Sequence, residues 1–345
     1  MIATRPDTRL RHVKYLAGLA AFLWVILAIG ALFEAPNDDR HARMGTPIIS
    51  DFVALQDTLS AIRLTLADET YTLARSADGW VMPEAANYPI RNDRIADLFA
   101  GLETLSYAET RTADPDKHAL LGLDAPNLGG TGVEIALIDD TGDVAHAFIT
   151  GRRNDQLYVR LPDRDQTYRA SGDLPPFYAQ SAWLDFDILT IEPAAVKAVR
   201  LRDQTGETLY LNRAVGASAQ GFRPAPPDQA ATIVSRLGVS TTALALTRFA
   251  PRGAKPISSL TTGPLGEHIT ETFDGLEVAV QLYREPDGRW ITLRAIEAGE
   301  GARRASEINR KVEMWAFQLS AFDFDDFTPT ISRLVTRPEQ DIAEP

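Results

Sequence analysis

No cysteine occurs among the 345 residues. That single absence excludes a lipid-modified cysteine anchor, a disulfide framework and soft thiolate metal ligation, so the folded part must hold itself together through its core. Histidine is scarce too, with five in the chain. His12, His41, His118, His146 and His268 are dispersed, and none has the H-x-x-x-H or H-E-x-x-H spacing that sets two imidazoles on one helical face. No cofactor or metal is indicated, and a zinc site would have to be assembled from distant histidines and carboxylates. There is no G-x-S-x-G nucleophile motif. Lys and Arg number 35 against 47 Asp and Glu, a net charge of −12. A nucleic-acid partner is disfavoured, because neutralising phosphates needs clustered basic residues on one face.

Long apolar runs are absent except for one. Tyr15 to Phe33 is an unbroken apolar stretch of 19 residues, enough at 1.5 Å per helical residue to span a hydrocarbon core about 30 Å thick. Arg5, Arg9, Arg11 and Lys14 precede it, and Glu34, Asp38 and Asp39 follow. This charge step predicts a single-pass protein of the bacterial inner membrane, with the N-terminus in the cytoplasm and the bulk of the chain periplasmic. A cleaved signal peptide is the competing reading. It calls for a shorter apolar region and small residues before the cut, and Phe33 stands where a small residue would be needed for cleavage after Ala35. The expected organisation is a cytoplasmic tail (1–14), an anchor (15–33), a tether (34–50), two folded units (51–190 and 191–336) and a flexible tail (337–345).

Those two units read as copies of one pattern. Ile62, Leu64 and Leu66 alternate with polar residues, turn at Ala67-Asp68, and continue as Glu69-Thr70-Tyr71-Thr72-Leu73-Ala74-Arg75 to Gly79-Trp80. Val199 and Leu201 alternate likewise, followed by Glu207-Thr208-Leu209-Tyr210-Leu211-Asn212-Arg213 and Gly221-Phe222. A proline follows each Gly-aromatic pair, at Pro83 and Pro224. A helical period comes next in both: Ile95, Leu98, Phe99, Leu102 and Leu105 with Asn92 as N-cap, and Ala230, Ile233, Val234 and Leu237 starting from Asp228. Thr110-Arg111 and Thr247-Arg248 end the matched stretch. The fold class expected is α+β: a transmembrane helix followed by two divergent β-β-α repeat domains with extended antiparallel sheets.

The extensions are strand candidates. Val133 to Ile138, Ala147 to Ile149, Leu157 to Leu161 and Thr167 to Arg169 are separated by polar turns, and Glu277 to Tyr283 and Trp290 to Leu293 flank Pro286-Asp287-Gly288. Ile308, Val312, Trp315 and Leu319 predict a closing helix.

The same residues carry a family resemblance. Gly79, Trp80 and Pro83, then Leu121-Gly122-Leu123-Asp124-Ala125-Pro126, Gly151 before Leu157-Tyr158-Val159, Trp183-Leu184-Asp185 and Trp315-Ala316-Phe317 resemble DUF4340, a domain of unknown function, over most of the chain after Ser50. With Gly221 and Phe222 these form a structural signature. The resemblance implies a membrane-anchored extracytoplasmic protein, often encoded beside an ABC transport system of the gliding-motility type. It implies no catalytic residues.

The remaining chemistry-bearing strings are weak. Asp323, Asp325 and Asp326 offer hard oxygen ligands, but without the glycine and distal glutamate of a calcium loop. Asp139-Asp140-Thr141-Gly142-Asp143 has Thr150 where that glutamate belongs, and reads as a hairpin turn. Gly129-Gly130-Thr131-Gly132 precedes a strand rather than a helix, so the phosphate-binding geometry is missing. Phe177-Tyr178 and Trp183-Phe186 read as a connecting helix packed on both cores, the other reading being the lining of a ligand groove. Two functions stay open: a non-catalytic binding or accessory module of an ABC-type transport system, or a cell-envelope hydrolase whose site between the repeats uses Asp124, Asp185 and Asp187. The topology is testable at once. A reporter active only outside the cytoplasm should be active when fused after Pro345 and silent when fused before Tyr15, and the inverse result would overturn the placement.

Overall fold

The computed structural model describes residues 43–177, 179–296, 301–327 and 329–338. The expected anchor at 15–33 and the tail from 339 lie outside these residues. Among the described residues no helix is long and apolar enough to cross a membrane. The architecture is mixed α+β, with two large antiparallel sheets.

After a short helix α1 (Phe52–Thr58), the first sheet begins with β1 (Leu59–Thr65) and β2 (Thr70–Ser76), where Ile62 faces Leu73 and Leu64 faces Tyr71 on the buried side. Strands β3 (Gly79–Met82) and β4 (Tyr88–Pro89) extend the sheet to one edge. Helix α2 (Asn92–Thr104), about 20 Å long at 1.5 Å per residue, buries Ile95, Leu98 and Leu102 and delivers the chain to β5 (Ser106–Thr110) at the opposite edge. A long excursion then returns to the middle. There β6 (Val133–Asp139) pairs with β1, and β7 (Val144–Arg153), β8 (Gln156–Arg160) and β9 (Thr167–Ser171) meander outward to meet β5.

The second sheet repeats this path. β10 (Val196–Arg202), β11 (Thr208–Asn212) and β12 (Arg223–Pro224) build one edge. The chain passes β13 (Thr232–Ile233) and helix α3 (Arg236–Ala243) to β14 (Gly253–Pro256) at the far edge. It then returns to β15 (Gly266–Thr272) beside β10 and meanders through β16 (Glu277–Glu285), β17 (Gly288–Ile296) and β18 (Trp315–Leu319) to β14. Helix α4 (Ala302–Val312) lies between the last two strands, and helix α5 (Ala321–Phe327) and β19 (Val335–Thr336) close the chain.

The likeness reaches single residues. The register of β1 on β6 shifts between Leu59 and Ala61, and that of β10 on β15 shifts between Val196 and Ala198, so each central strand carries an irregularity at the same place. The guanidinium of Arg75 lies 5.7 Å from the Trp80 ring and that of Arg213 lies 4.8 Å from the Phe222 ring, within cation–π range. A carboxylate also serves the part of β2 that β3 leaves uncovered, and the matching part of β11 beside β12. Thr72 N–H donates to Glu84 Oε2 at 3.0 Å and Tyr210 N–H to Asp228 Oδ2 at 2.9 Å, which consumes a donor that an open sheet edge would otherwise present.

One buried apolar cluster runs through both halves. Trp183 lies in the first core and donates its Nε1–H to Tyr71 Oη at 2.9 Å, while the Tyr88 ring packs edge-on against Trp315 and Phe317 of β18, with centroids 4.9 and 6.1 Å away. Residues 183–191 form an extended strap, not the expected connecting helix. Backbone bonds from Arg91 N–H to Trp183 O and from Asp185 N–H to Pro89 O hold it to the first sheet, and Arg304 and Lys311 of α4 donate to Thr190 O and Asp187 O.

Other local expectations fail for stated reasons. Asn92 is the first helical residue, and Arg91 occupies the cap without a side-chain capping bond. The second helix starts not at Asp228, whose carboxylate is bound by Tyr210 and Arg337, but after Ser235, which accepts from Gly238 N–H at 3.0 Å. Val234 and Leu237 consequently face solvent. Thr247-Arg248 sits in a 3-10 turn, whereas Thr110 ends a strand. The closing helix stops at Val312, because Trp315 to Leu319 pair with β17 and β14. The tether is shorter than expected: Gly45 N–H donates to Tyr107 O, Ile48 N–H donates to Leu105 O, and Ile48 and Ile49 are buried. At the other end Arg337 binds Asp228 and Thr208 O. Since Phe222 is fully enclosed and Trp80 is 9% exposed, Phe222→Ala and Trp80→Ala should each cost about 3–5 kcal/mol in denaturant unfolding. A cost under about 1 kcal/mol at either position would break the equivalence of the two anchors.

Candidate functional site

Because β5 lies at the sheet edge and β6 at its centre, the excursion between them must cross the outer face of the first sheet. It begins with a 3-10 turn, Pro115–Leu121, that ends on Gly122 at φ +68°, a conformation that favours glycine. Leu123 is then driven onto Ile149 and Tyr158, making a small core of its own outside the sheet. The carbonyl of Leu123 accepts from Arg160 Nε at 2.8 Å, and the same buried guanidinium donates to Leu161 O and Pro162 O at 3.2 and 3.1 Å. Burial lowers the pKa of Arg160 from its ordinary value. Asp124 closes the loop: Thr131 N–H donates to its Oδ2 at 3.0 Å and Thr131 Oγ1 to its Oδ1 at 3.2 Å. In the string 129–132 it is thus Thr131 that binds the chain's own Asp124 carboxylate, while the N–H groups of Gly129, Gly130 and Gly132 donate to backbone carbonyls. Pro126 starts the next 3-10 turn and is buried.

Backbone lies directly on backbone at this crossing. A Cβ added at Gly151 would stand 2.0 Å from Gly122 O, and one at Gly132 would stand 2.5 Å from Asp124 O. Gly122, Leu123, Asp124, Pro126 and Gly151 are thus the parts of one crossing.

The second repeat makes the crossing with a shorter connection, residues 257–265. Ile257 and Leu260 cover Tyr283, Trp290 and Ala316, and the clasp is Glu285. Its carboxylate accepts from the hydroxyls of Thr261 and Thr262, each at 2.6 Å, and from their N–H groups. The Thr261 hydroxyl first, then that of Thr262, holds the Glu285 pKa down to about 2. Nothing in the sequence pattern marked Glu285, Thr261, Thr262 or Arg160 beforehand.

The shorter connection leaves the rest of that outer face open. Two adjoining hollows of about 650 and 780 Å³ lie on it and share Glu267 and Ile269. Arg200, Tyr210 and Asp228 line the first, and Ala279, Gln281 and Arg294 line the second.

The carboxylates named for catalysis are not brought together. Asp185 and Asp187 line a groove of about 700 Å³ with Arg91, Asp93 and Arg94, and Asp124 is not part of it. Asp185 Oδ1 accepts from Asp187 N–H at 3.2 Å, as in an Asx turn. Asp139 accepts from the N–H groups of Thr141 and Asp143 and from the Thr141 hydroxyl, so 139–143 is the expected hairpin turn. Asp323 bonds Ser320 and Asp326 pairs with Arg248, while Phe324 and Phe327 enter the core. The histidines stand apart: His118 bonds Asp165 O, and buried His268 bonds Thr242 O, burial pushing its pKa down to about 4. Among the described residues no group of three His, Cys, Asp or Glu is placed to hold a metal ion.

The two large antiparallel sheets, each with a carboxylate-clasped crossing, define a mixed α+β protein. Residues 80–250 match the family model of the domain of unknown function DUF4340, and the chain carries that domain over those residues. The matched span holds the whole first crossing and stops before β14; Trp315 lies beyond it. No curated protein matches the chain. The contact at Gly151 can be tested directly. Gly151→Ala should cost about 1–3 kcal/mol or more through backbone overlap, whereas Gly263→Ala, with open space around its Cβ position, should leave thermal unfolding unchanged. Equal unfolding of the two variants would show that the crossing does not depend on that approach.

Proposed function

We propose that the protein is a non-catalytic extracytoplasmic binding or accessory module, held in the inner membrane through residues 15–33 and working beside the membrane subunits of an ABC-type transport system. One observation carries the non-catalytic half of this reading: Asp124, the carboxylate in the string that resembles the family, is committed to closing a backbone crossing. General acid–base work needs a carboxylate within hydrogen-bond reach of a substrate proton. The anchor and the transporter association rest on the apolar run and the family resemblance.

The second reading, a cell-envelope hydrolase, is favoured by the groove that Asp185 and Asp187 share with Arg91 and Asp93. The two readings separate in one preparation. Full-length protein extracted in mild detergent should retain polytopic transporter subunits, and Asp185→Asn with Asp187→Asn should leave that association intact. Protein that purifies alone and turns over an envelope substrate, with loss of turnover in the double variant, would establish the hydrolase instead.

A further inference from the structure

A hollow of about 270 Å³ opens where β6 begins and β7 ends, between the first sheet and the segment that follows β9. Strand register builds its floor. Val133 stands opposite Thr150 and Leu157 opposite Arg152, and Val133 and Leu157 both belong to the large apolar cluster. Residues 174–177 form the roof, which is fixed at both ends. Leu174 is buried beside α2, where a Cβ added at Gly101 would stand 2.5 Å from Asp173 O. The Phe177 ring stacks on Trp183, with centroids 6.4 Å apart and planes inclined by 22°. Between these two supports stand Pro175 and Pro176, which have no N–H to give.

That roof leaves a polar group of the floor unserved. Thr150 lines the hollow and is 3% exposed, yet its hydroxyl has no hydrogen-bond partner among the described residues. A buried hydroxyl without a partner costs stability, and a valine would occupy the same strand position without that cost. Arg152 stands beside it, the one charged residue lining the hollow among those described. Its Nη2 donates to Asp173 and to Leu174 O, while its Nε and Nη1 have no partner among the described residues. Thr131 also lines the hollow, but its hydroxyl is taken by Asp124. Hydroxyl and guanidinium are both donors, and the walls around them are apolar.

We propose that this hollow binds a small carboxylate carried on a short apolar body, its oxygens held by Thr150 and Arg152 and its body set against Val133, Leu157 and Phe177. The volume is that of about nine waters at about 30 Å³ each, which limits the ligand to the size of a short-chain acid or an amino acid. A charged acceptor gains more from a guanidinium than a neutral one does. A step between staggered χ1 positions brings the enclosed Thr150 hydroxyl to the ligand. The site lies wholly within the folded first half, so it stands or falls independently of the anchor and of any transporter.

The probe is trifluorobutanoate with its fluorines on the terminal carbon, observed by fluorine NMR with the full chain in detergent. Its line should broaden saturably, and Thr150→Val, Arg152→Gln or replacement of the probe by its neutral amide should each weaken binding about tenfold. Thr150→Ser and Arg152→Lys, which keep the hydroxyl and the charge, should bind within a few-fold of the unaltered protein. Without the probe, Thr150→Val should unfold at or above the temperature of the unaltered protein, because the hydroxyl it removes had no partner. No saturable broadening, or broadening that survives Thr150→Val and Arg152→Gln, overturns the site. Equal binding of the amide overturns the carboxylate. A Thr150→Val protein that unfolds well below the unaltered one shows a hydroxyl already satisfied, and overturns the site as well.

Discussion

The constraint on which this fold depends is a return journey. In each repeat a helix carries the chain from one edge of the sheet to the other, and the next strand must pair beside the first one, at the centre. The chain can only get back by crossing the sheet's outer face. Crossing a pleated surface with backbone requires room for main chain on main chain, an apolar plug to exclude water, and partners for polar groups that lose solvent. Gly151 and Gly122 provide the first, Leu123 on Tyr158 the second, Arg160 and Asp124 the third. The string Gly122 to Pro126 is therefore the sequence record of a topological problem, and its aspartate serves that crossing.

The two repeats solve the same problem with different lengths of chain. A crossing of residues 111–132 sets Leu121 and Leu123 on Ile149 of β7 and Tyr158 of β8, and Ile149 and Tyr158 are buried. A crossing of residues 257–265 covers only the β16 to β18 corner, leaving Ile269 and Ala279 half-exposed on the floor of open hollows. The two sheets thus differ most in how much outer surface is exposed or hidden, and agree in the register shift, the arginine beside the aromatic ring and the carboxylate bound by β2 and β11.

Much of this was legible in the residues. Period-two alternation marked the hairpins, and the matched Glu-Thr…Arg strands with their Gly-aromatic ends placed Trp80 and Phe222 at equivalent positions. What misled was helical spacing in segments whose partners are remote. Val312 and Trp315 have a helical interval, yet Trp315 belongs to a strand because β17 and β14 offer its backbone a ladder. Ile233 and Leu237 have one too, but Ile233 pairs with Val335, about a hundred positions later in the chain. The edge strands β5 and β14 were missed because each is short and owes its place to a strand that comes after it. Glu285 was invisible for the same reason: its four donors lie on a connection more than twenty residues earlier.

Acidic residues show how little composition alone says about function here. Glu84 and Asp228 bind N–H groups that β3 and β12 leave uncovered, Asp124 and Glu285 clasp crossings, and Asp139 shapes a turn, each by accepting backbone N–H groups that folding would otherwise leave unpaired. At Glu285 and Asp139 the bound hydroxyls and N–H groups also hold the carboxylate pKa below its ordinary value. In a chain without cysteine, and with topology that repeatedly strands backbone away from its ladder, anions serve as the fastenings. The acidic surplus lies in the first half, where residues 51–190 hold 23 Asp and Glu against 11 Lys and Arg.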